Sequence, residues 1–233
     1  TMREVYFDAA LLLGTILAVQ WASTLQLRFG VLAMAAFAIG ALFHVGIIGA
    51  AVGVLVALAL LAFEPQGKRF RRPVIALVVA ATVTVIVAVL TNVDVPKLGS
   101  LRYFFDLEHF ASMLAQRSHG DAVYPDWLSP HAPIDLLWQV PARLLYFLFS
   151  PFPWAIRLPV HVIGYLDGAI YLALVALILA NLGKIWRNPA ARMVLLVFLG
   201  LLVSLAVGTG NFGTASRHRA KLVLLLVVLA SPY

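Results

Sequence analysis

The chain has 233 residues, of which 63% are hydrophobic and 12% charged; its mean hydropathy is +0.98. A soluble domain of this size has no interior large enough for that much apolar side chain, so lipid must be the solvent for much of the surface. The net charge of +7 is first explained by basic cytoplasmic loops rather than by nucleic acid, and the absence of cysteine excludes disulfides, thiol catalysis and Cys-ligated metals.

A barrel would need alternating strands of about ten residues, which the sequence lacks. The expected fold class is therefore all-α, a polytopic transmembrane helix bundle with one outward region holding an amphipathic helix and a re-entrant loop. Three blocks follow in chain order: N-terminal transmembrane helices over 1–90, an extracytoplasmic region over 91–160, and C-terminal transmembrane helices with a basic outward loop over 161–233.

The first apolar run is about Ala9–Leu27, with Asp8 as N-cap and Arg28 closing it. Phe29–Phe63 is too long for one ordinary span of about 20 residues. The pattern favours two short helices hinged near His44–Gly46 over one long tilted helix, with Gly46, Gly49 and Gly53 as close helix-packing positions. Glu64–Pro73 is a loop, and Pro73 suits the first turn of the span Pro73–Leu90. Thr91–Ala142 is the sizeable hydrophilic stretch. Within it Leu101–Arg117 reads as an interfacial amphipathic helix, and Tyr124–Pro133 as an irregular, membrane-hugging loop. Leu144–Trp154 is apolar but short, and Pro151 and Pro153 interrupt it, which fits a re-entrant or interfacial turn. His161–Leu182 is a full span with Asp167 about two turns in. Gly183–Arg192 is a basic loop, and Met193–Val207 the last complete helix. A glycine-rich polar break, Gly208–Lys221, separates it from Leu222–Ala230, whose nine residues fall short of the roughly 20 needed to span. The opening at Thr1 and this short final run lead us to expect a piece of a longer polytopic chain.

The loops at 64–73 and 183–192 carry Lys68, Arg69, Arg71, Arg72, Lys184, Arg187 and Arg192 against a single acid, Glu64. The positive-inside rule puts both in the cytoplasm, so 91–160 faces outward and Gly208–Lys221 returns to the outer face. There Arg217, His218, Arg219 and Lys221 stand where that rule predicts few cations. Two readings are open: the cations snorkel to headgroups or neutralise acids such as Asp167, or they form an anion site. Arginine offers a planar fork for phosphate or carboxylate, and the backbone of Gly208–Thr214 could add a nest of N–H groups.

Three runs, YFLFSPFPW (146–154), HVIGYLDGAIYL (161–172) and GNFGTASRHRAK (210–221), resemble multi-spanning proteins of bacterial polysaccharide loci. They are similar to relatives of the oligosaccharide repeat-unit polymerases that build O-antigen and exopolysaccharide. The resemblance implies a multi-pass protein of the bacterial inner membrane, acting at the periplasmic face on glycans carried by undecaprenyl pyrophosphate. Its partners would be the lipid bilayer, the lipid-linked oligosaccharide and other polysaccharide-assembly proteins, with no nucleic acid. Arg217 and Arg219 are the positions it implies for holding the acidic substrate. Arg143, Lys221, His218 and Asn211 complete the substrate-binding set.

The reaction so implied is glycosyl transfer, in which a sugar hydroxyl attacks an anomeric carbon and a polyprenyl pyrophosphate leaves. Cations at the pyrophosphate would stabilise the developing charge without a metal or cofactor, and a base would take the hydroxyl proton. Asp167, Glu108 and His109 are the catalytic candidates, with Asp106 beside them. Each has a plainer reading: Asp106, Glu108 and His109 as the wet face of the 101–117 helix, and Asp167 as an ion-pair partner. His44 reads as polar packing at a hinge, and neither His119 nor His131 has metal-ligand spacing. Two other functions fit the same composition. A polyprenyl-phosphate-sugar glycosyltransferase would place acids soon after the first helix; a transporter or flippase of lipid-linked oligosaccharide would show repeated halves.

Overall fold

The computed structural model describes residues 2–63, 94–95, 99–100, 112, 122–130 and 133–231. These are helical apart from turns and one short antiparallel pair, β1 (Asp94–Val95) with β2 (Gly99–Ser100). Among the described residues three helices are long and apolar enough to cross a membrane: α1 (Met2–Thr24), α5 (Pro159–Ala180) and α7 (Pro189–Val207). The others are α2 (Leu27–Ala41), α3 (Ile47–Phe63), α4 (Pro133–Phe149), α6 (Leu182–Arg187), α8 (Phe212–Arg219) and α9 (Val223–Ala230). The loop expected at 64–73, the span Pro73–Leu90 and the helix Leu101–Arg117, with the catalytic candidates Glu108 and His109, lie outside the described residues. The chain divides into two compact units, Thr1–Phe105 with Lys184–Leu201, and Asp106–Gly183 with Leu202–Tyr233.

In the first unit, α1 and α2 form a tight helical hairpin. At the end of α1 the hydroxyls of Ser23 and Thr24 donate back to the carbonyls of Val19 and Gln20. Leu25 then takes φ 56°, a left-handed conformation costly for a residue with a branched side chain, and turns the chain. The hairpin closes because a methyl at Gly14 would stand 2.6 Å from Phe37 Cε1. The expected division of 29–63 is present: α2 and α3 flank a hinge in which His44 Nδ1 accepts from Gly46 N at 3.1 Å. On α3, Gly49 and Gly53 meet the early part of α7 so closely that a Cβ on Gly53 would collide with the Leu196 carbonyl. This is the small-residue contact that lets helix backbones approach where lipid offers no hydrophobic drive.

The second unit packs α4, α5, α8 and α9 together. Its outer surface is apolar: on α5 Val160, Ile163, Leu166, Ile170 and Leu179 are exposed, and only 17% of its most apolar window is buried. Helix α4 has the reverse polarity of a soluble helix, with Gln139 and Arg143 buried while Ile134, Trp138 and Leu145 face out. That arrangement is stable where the surroundings are hydrocarbon.

Several boundaries differ from the sequence reading. Asp8 is not an N-cap, because α1 begins at Met2, with Glu4 supplying the acidic residue of its first turn. The 144–154 run is not an isolated turn. Its first half completes α4, which tolerates Pro141 inside it and stops at Phe149 before a cis Ser150–Pro151 peptide. Helix α7 starts four residues before Met193, because Asn188 Oδ1 accepts from Ala190 N and Ala191 N, and Pro189 fits the first turn. The basic loop before it contains the short helix α6. The polar break is mostly helix, with four residues, 208–211, separating α7 from α8.

Candidate functional site

The second unit concentrates ionisable side chains in its interior. Helix α8 starts at Asn211, whose side-chain oxygen accepts from Gly213 N at 2.7 Å and Thr214 N at 3.2 Å. Two more bonds hold the stretch before it, Phe212 N to the Ala122 carbonyl at 2.9 Å and Tyr124 N to the Gly210 carbonyl at 3.1 Å. Asn211 thus acts as a helix cap, and the N–H groups proposed for an anion nest at Phe212, Gly213 and Thr214 are already spent.

Arg219, the last residue of α8, is fully buried at 0% exposure. Its Nη1 donates to the Leu148 carbonyl at 2.7 Å, one of the last in α4, where a cation suits the helix C-terminus. Its Nη2 lies 3.1 Å from Asp167 Oδ2 on α5, and its guanidinium carbon sits 5.3 Å from the Tyr171 ring centre. The Nη2 contact is an ion pair without hydrogen-bond alignment, and Nε has no hydrogen-bond partner among the described residues. Helices α4 and α5 approach closely here, since a Cβ on Gly168 would stand 2.6 Å from the Phe149 carbonyl. Burial pushes the Arg219 guanidinium down from its ordinary value, and Asp167 acts in the opposite sense. The group stays charged at any physiological pH.

Arg143 is equally enclosed. Its Nη2 donates to the Leu128 carbonyl, its Nη1 to those of Val207 and Thr209 at 3.3 and 3.2 Å, and its Nε reaches Gln139 Oε1 at 3.5 Å. Gln139 in turn donates to the Trp127 carbonyl at 3.0 Å. The donors of Arg143 are therefore directed at backbone carbonyls, including one at the C-terminus of α7. Nearby Tyr124 is buried, which pushes its phenol up and keeps it a neutral hydroxyl.

The remaining cations differ. Arg217 is exposed, and Lys221 is buried with its Nζ 3.0 Å from His218 Nδ1. The expected site residues therefore do not form one anion cradle. Arg219 and Asp167 face each other, His218 and Lys221 form a second pair, Arg143 and Asn211 bind backbone, and Arg217 stands outside.

What the unit does offer is a cavity of about 430 Å³ beside Asp167, within the roughly 300–1,000 Å³ typical of small-molecule sites. Pro151, Val160, Ile163 and Phe212 form apolar walls, and His161, Asp167 and Ser216 supply polar groups. Ser216 Oγ donates to Asp167 Oδ2 at 3.4 Å, so Ser216 and Arg219 both engage Oδ2. Oδ1 has no hydrogen-bond or ion-pair partner among the described residues, and the Asp167 side chain is 35% exposed. His161 was not a sequence candidate, although it begins the HVIGYLD run just after Pro159. No metal-ligating cluster of His and acids occurs among the described residues. Comparison with protein-family models, with curated proteins and with solved structures finds no match.

Proposed function

We propose that this chain is a multi-pass protein of the bacterial plasma membrane that transfers glycosyl groups between lipid-linked oligosaccharides, extending repeat units at the outer face. One observation carries the reading: a carboxylate within a membrane-length helix is held on one oxygen by a buried arginine and lines a cavity. Ionisable groups at such depth are costly, and a cavity-facing one is a functional group before it is a structural one. In the reaction, an acceptor hydroxyl oxygen forms the new bond to the anomeric carbon. The bond from that carbon to the phosphate oxygen breaks, its electron pair leaves with the polyprenyl pyrophosphate, and the hydroxyl proton passes to Asp167. Arg219 orients the carboxylate and balances its charge while it waits. Exposed Arg217, next to Ser216 on α8, is the cation free to approach the pyrophosphate.

The test is transfer by the full chain reconstituted in nanodiscs with pyrophosphate-linked oligosaccharide. Asp167→Asn should lower the rate by about 10²-fold or more, the range for a lost general base. An unchanged rate would remove Asp167 from the chemistry. Since the sequence has no cysteine, Ser129→Cys reports sidedness: an impermeant thiol reagent added outside intact cells should label it. Labelling only in opened cells would invert the proposed topology.

A further inference from the structure

We infer that the cavity beside Asp167 is an acceptor subsite for a neutral, hydroxyl-bearing sugar ring, and that the pyrophosphate binds elsewhere. The inference rests on the glycosyl-transfer reading and narrows it. Its first support is the charge of the walls. The charged side chain lining the cavity is Asp167, whereas Arg219 stands behind it, directed at Leu148 and Oδ2. A pyrophosphate placed there would meet a carboxylate first, and in a low-dielectric setting that repulsion is severe.

The second support is the pattern of hydrogen-bonding atoms. His161 is 6% exposed, and its Nδ1 accepts from Arg157 N at 3.1 Å and Leu158 N at 3.4 Å. Those backbone donors assign the ring proton to Nε2. Nε2 has no partner among the described residues, while the ring is fixed edge-on to Phe212 at 5.0 Å and borders the cavity. His161 and Asp167 both line the cavity, roughly two helical turns apart on one helix, and each keeps one polar atom, Nε2 and Oδ1, without a hydrogen-bond partner among the described residues. A ligand that satisfies both offers a donor at one place and an acceptor at another, which hydroxyls on opposite sides of a sugar ring provide and a phosphate, with acceptors only, does not. The apolar walls at Phe212 and Ile163 suit the C–H faces of such a ring. His161 is then a positioning residue for the acceptor.

Cysteine protection tests this on the full chain in nanodiscs. Ala122 lines the cavity and is half-buried, so Ala122→Cys introduces the chain's single thiol there. Methyl β-glucoside should slow alkylation of that thiol by neutral iodoacetamide, and inorganic pyrophosphate should not. In the His161→Asn background, which keeps an acceptor for the two backbone N–H groups but lacks Nε2–H, the glucoside concentration needed should rise about tenfold, as for one lost hydrogen bond. His161→Gln, which restores a donor near the Nε2 position, should recover part of it. Protection by pyrophosphate instead of glucoside, or glucoside protection unchanged in His161→Asn, would overturn the inference. Loss of glycosyl transfer in Asp167→Asn together with no glucoside protection would sink the subsite alone. Protection with transfer unaffected by Asp167→Asn would sink the catalytic reading and spare the subsite.

Discussion

The two units solve the same problem, holding helices together where lipid already satisfies apolar side chains, with a different balance of means. The first relies on small residues and tight backbone approach: Gly14 receives Phe37, and Gly53 and Gly200 receive carbonyls of Leu196 and Gly49. The second has one such approach, at Gly168, and adds buried polar groups, with Gln139, Arg143, His161, Arg219 and Lys221 all inside. Close backbone packing is robust and chemically inert. Buried guanidinium groups cost more to desolvate, and they persist where each finds carbonyls or a carboxylate and where the resulting charge is put to use. The candidate chemistry accordingly lies in the second unit.

The sharpest way to break this contrast is Arg219→Met. It strands Asp167 without its cation and should destabilise the second unit by about 3 kcal/mol, the low end for a broken buried pair because Asp167 keeps partial contact with solvent. Adding Asp167→Asn should return most of that stability in thermal unfolding without returning glycosyl transfer. Next is Arg143→Met, which leaves the Leu128, Val207 and Thr209 carbonyls without their donor. A loss on the order of 3 kcal/mol is expected from hydrogen bonds to a charged group. Arg143→Lys should recover only part, since one ammonium cannot reproduce the fork.

Gly53→Ala probes the first unit. Its new methyl meets the Leu196 backbone, which cannot swing aside as a side chain can. A loss of about 1–3 kcal/mol is expected, the cost of overpacking. A neutral result would show that backbone closeness does not hold that unit. The smallest effect on stability should be at Arg217, which is exposed. Arg217→Ala should change unfolding by less than about 0.5 kcal/mol while reducing transfer by about tenfold, as for one charge-assisted contact to phosphate. Arg217→Lys should restore part of the rate. Full restoration would reduce the role to simple charge.

Much of the helical frame was legible because hydropathy reads it directly. The span containing Asp167 was placed within two residues at each end, and the hinge at His44 followed from a run too long for one helix. Boundaries governed by specific polar groups were harder. The Asn188–Pro189 start of α7 was visible as a cap followed by proline, yet apolar counting alone moved it to Met193. Asn211 and its glycines looked like a nest. Instead the Asn side chain spends those N–H groups on starting a helix, a choice that depends on the pairing of 122–124 with 210–212 across a long stretch of sequence. Arg143 and Arg219 both stand out as cations in the sequence, but their distribution among carbonyls and Asp167 depends on tertiary contacts that spacing does not encode. His161 gives no signal in the sequence for the same reason. Its significance comes from the backbone of 157–158 fixing one nitrogen of a ring that also lines the cavity.

The most direct measurement is the length distribution of surface polysaccharide in cells whose own copy of the gene is replaced by Asp167→Asn, with membrane insertion checked in parallel. The expected result is normal insertion and glycan confined to single repeat units. A wild-type ladder of long chains from that variant would contradict the assignment of Asp167 and remove the observation that carries the glycosyl-transfer reading.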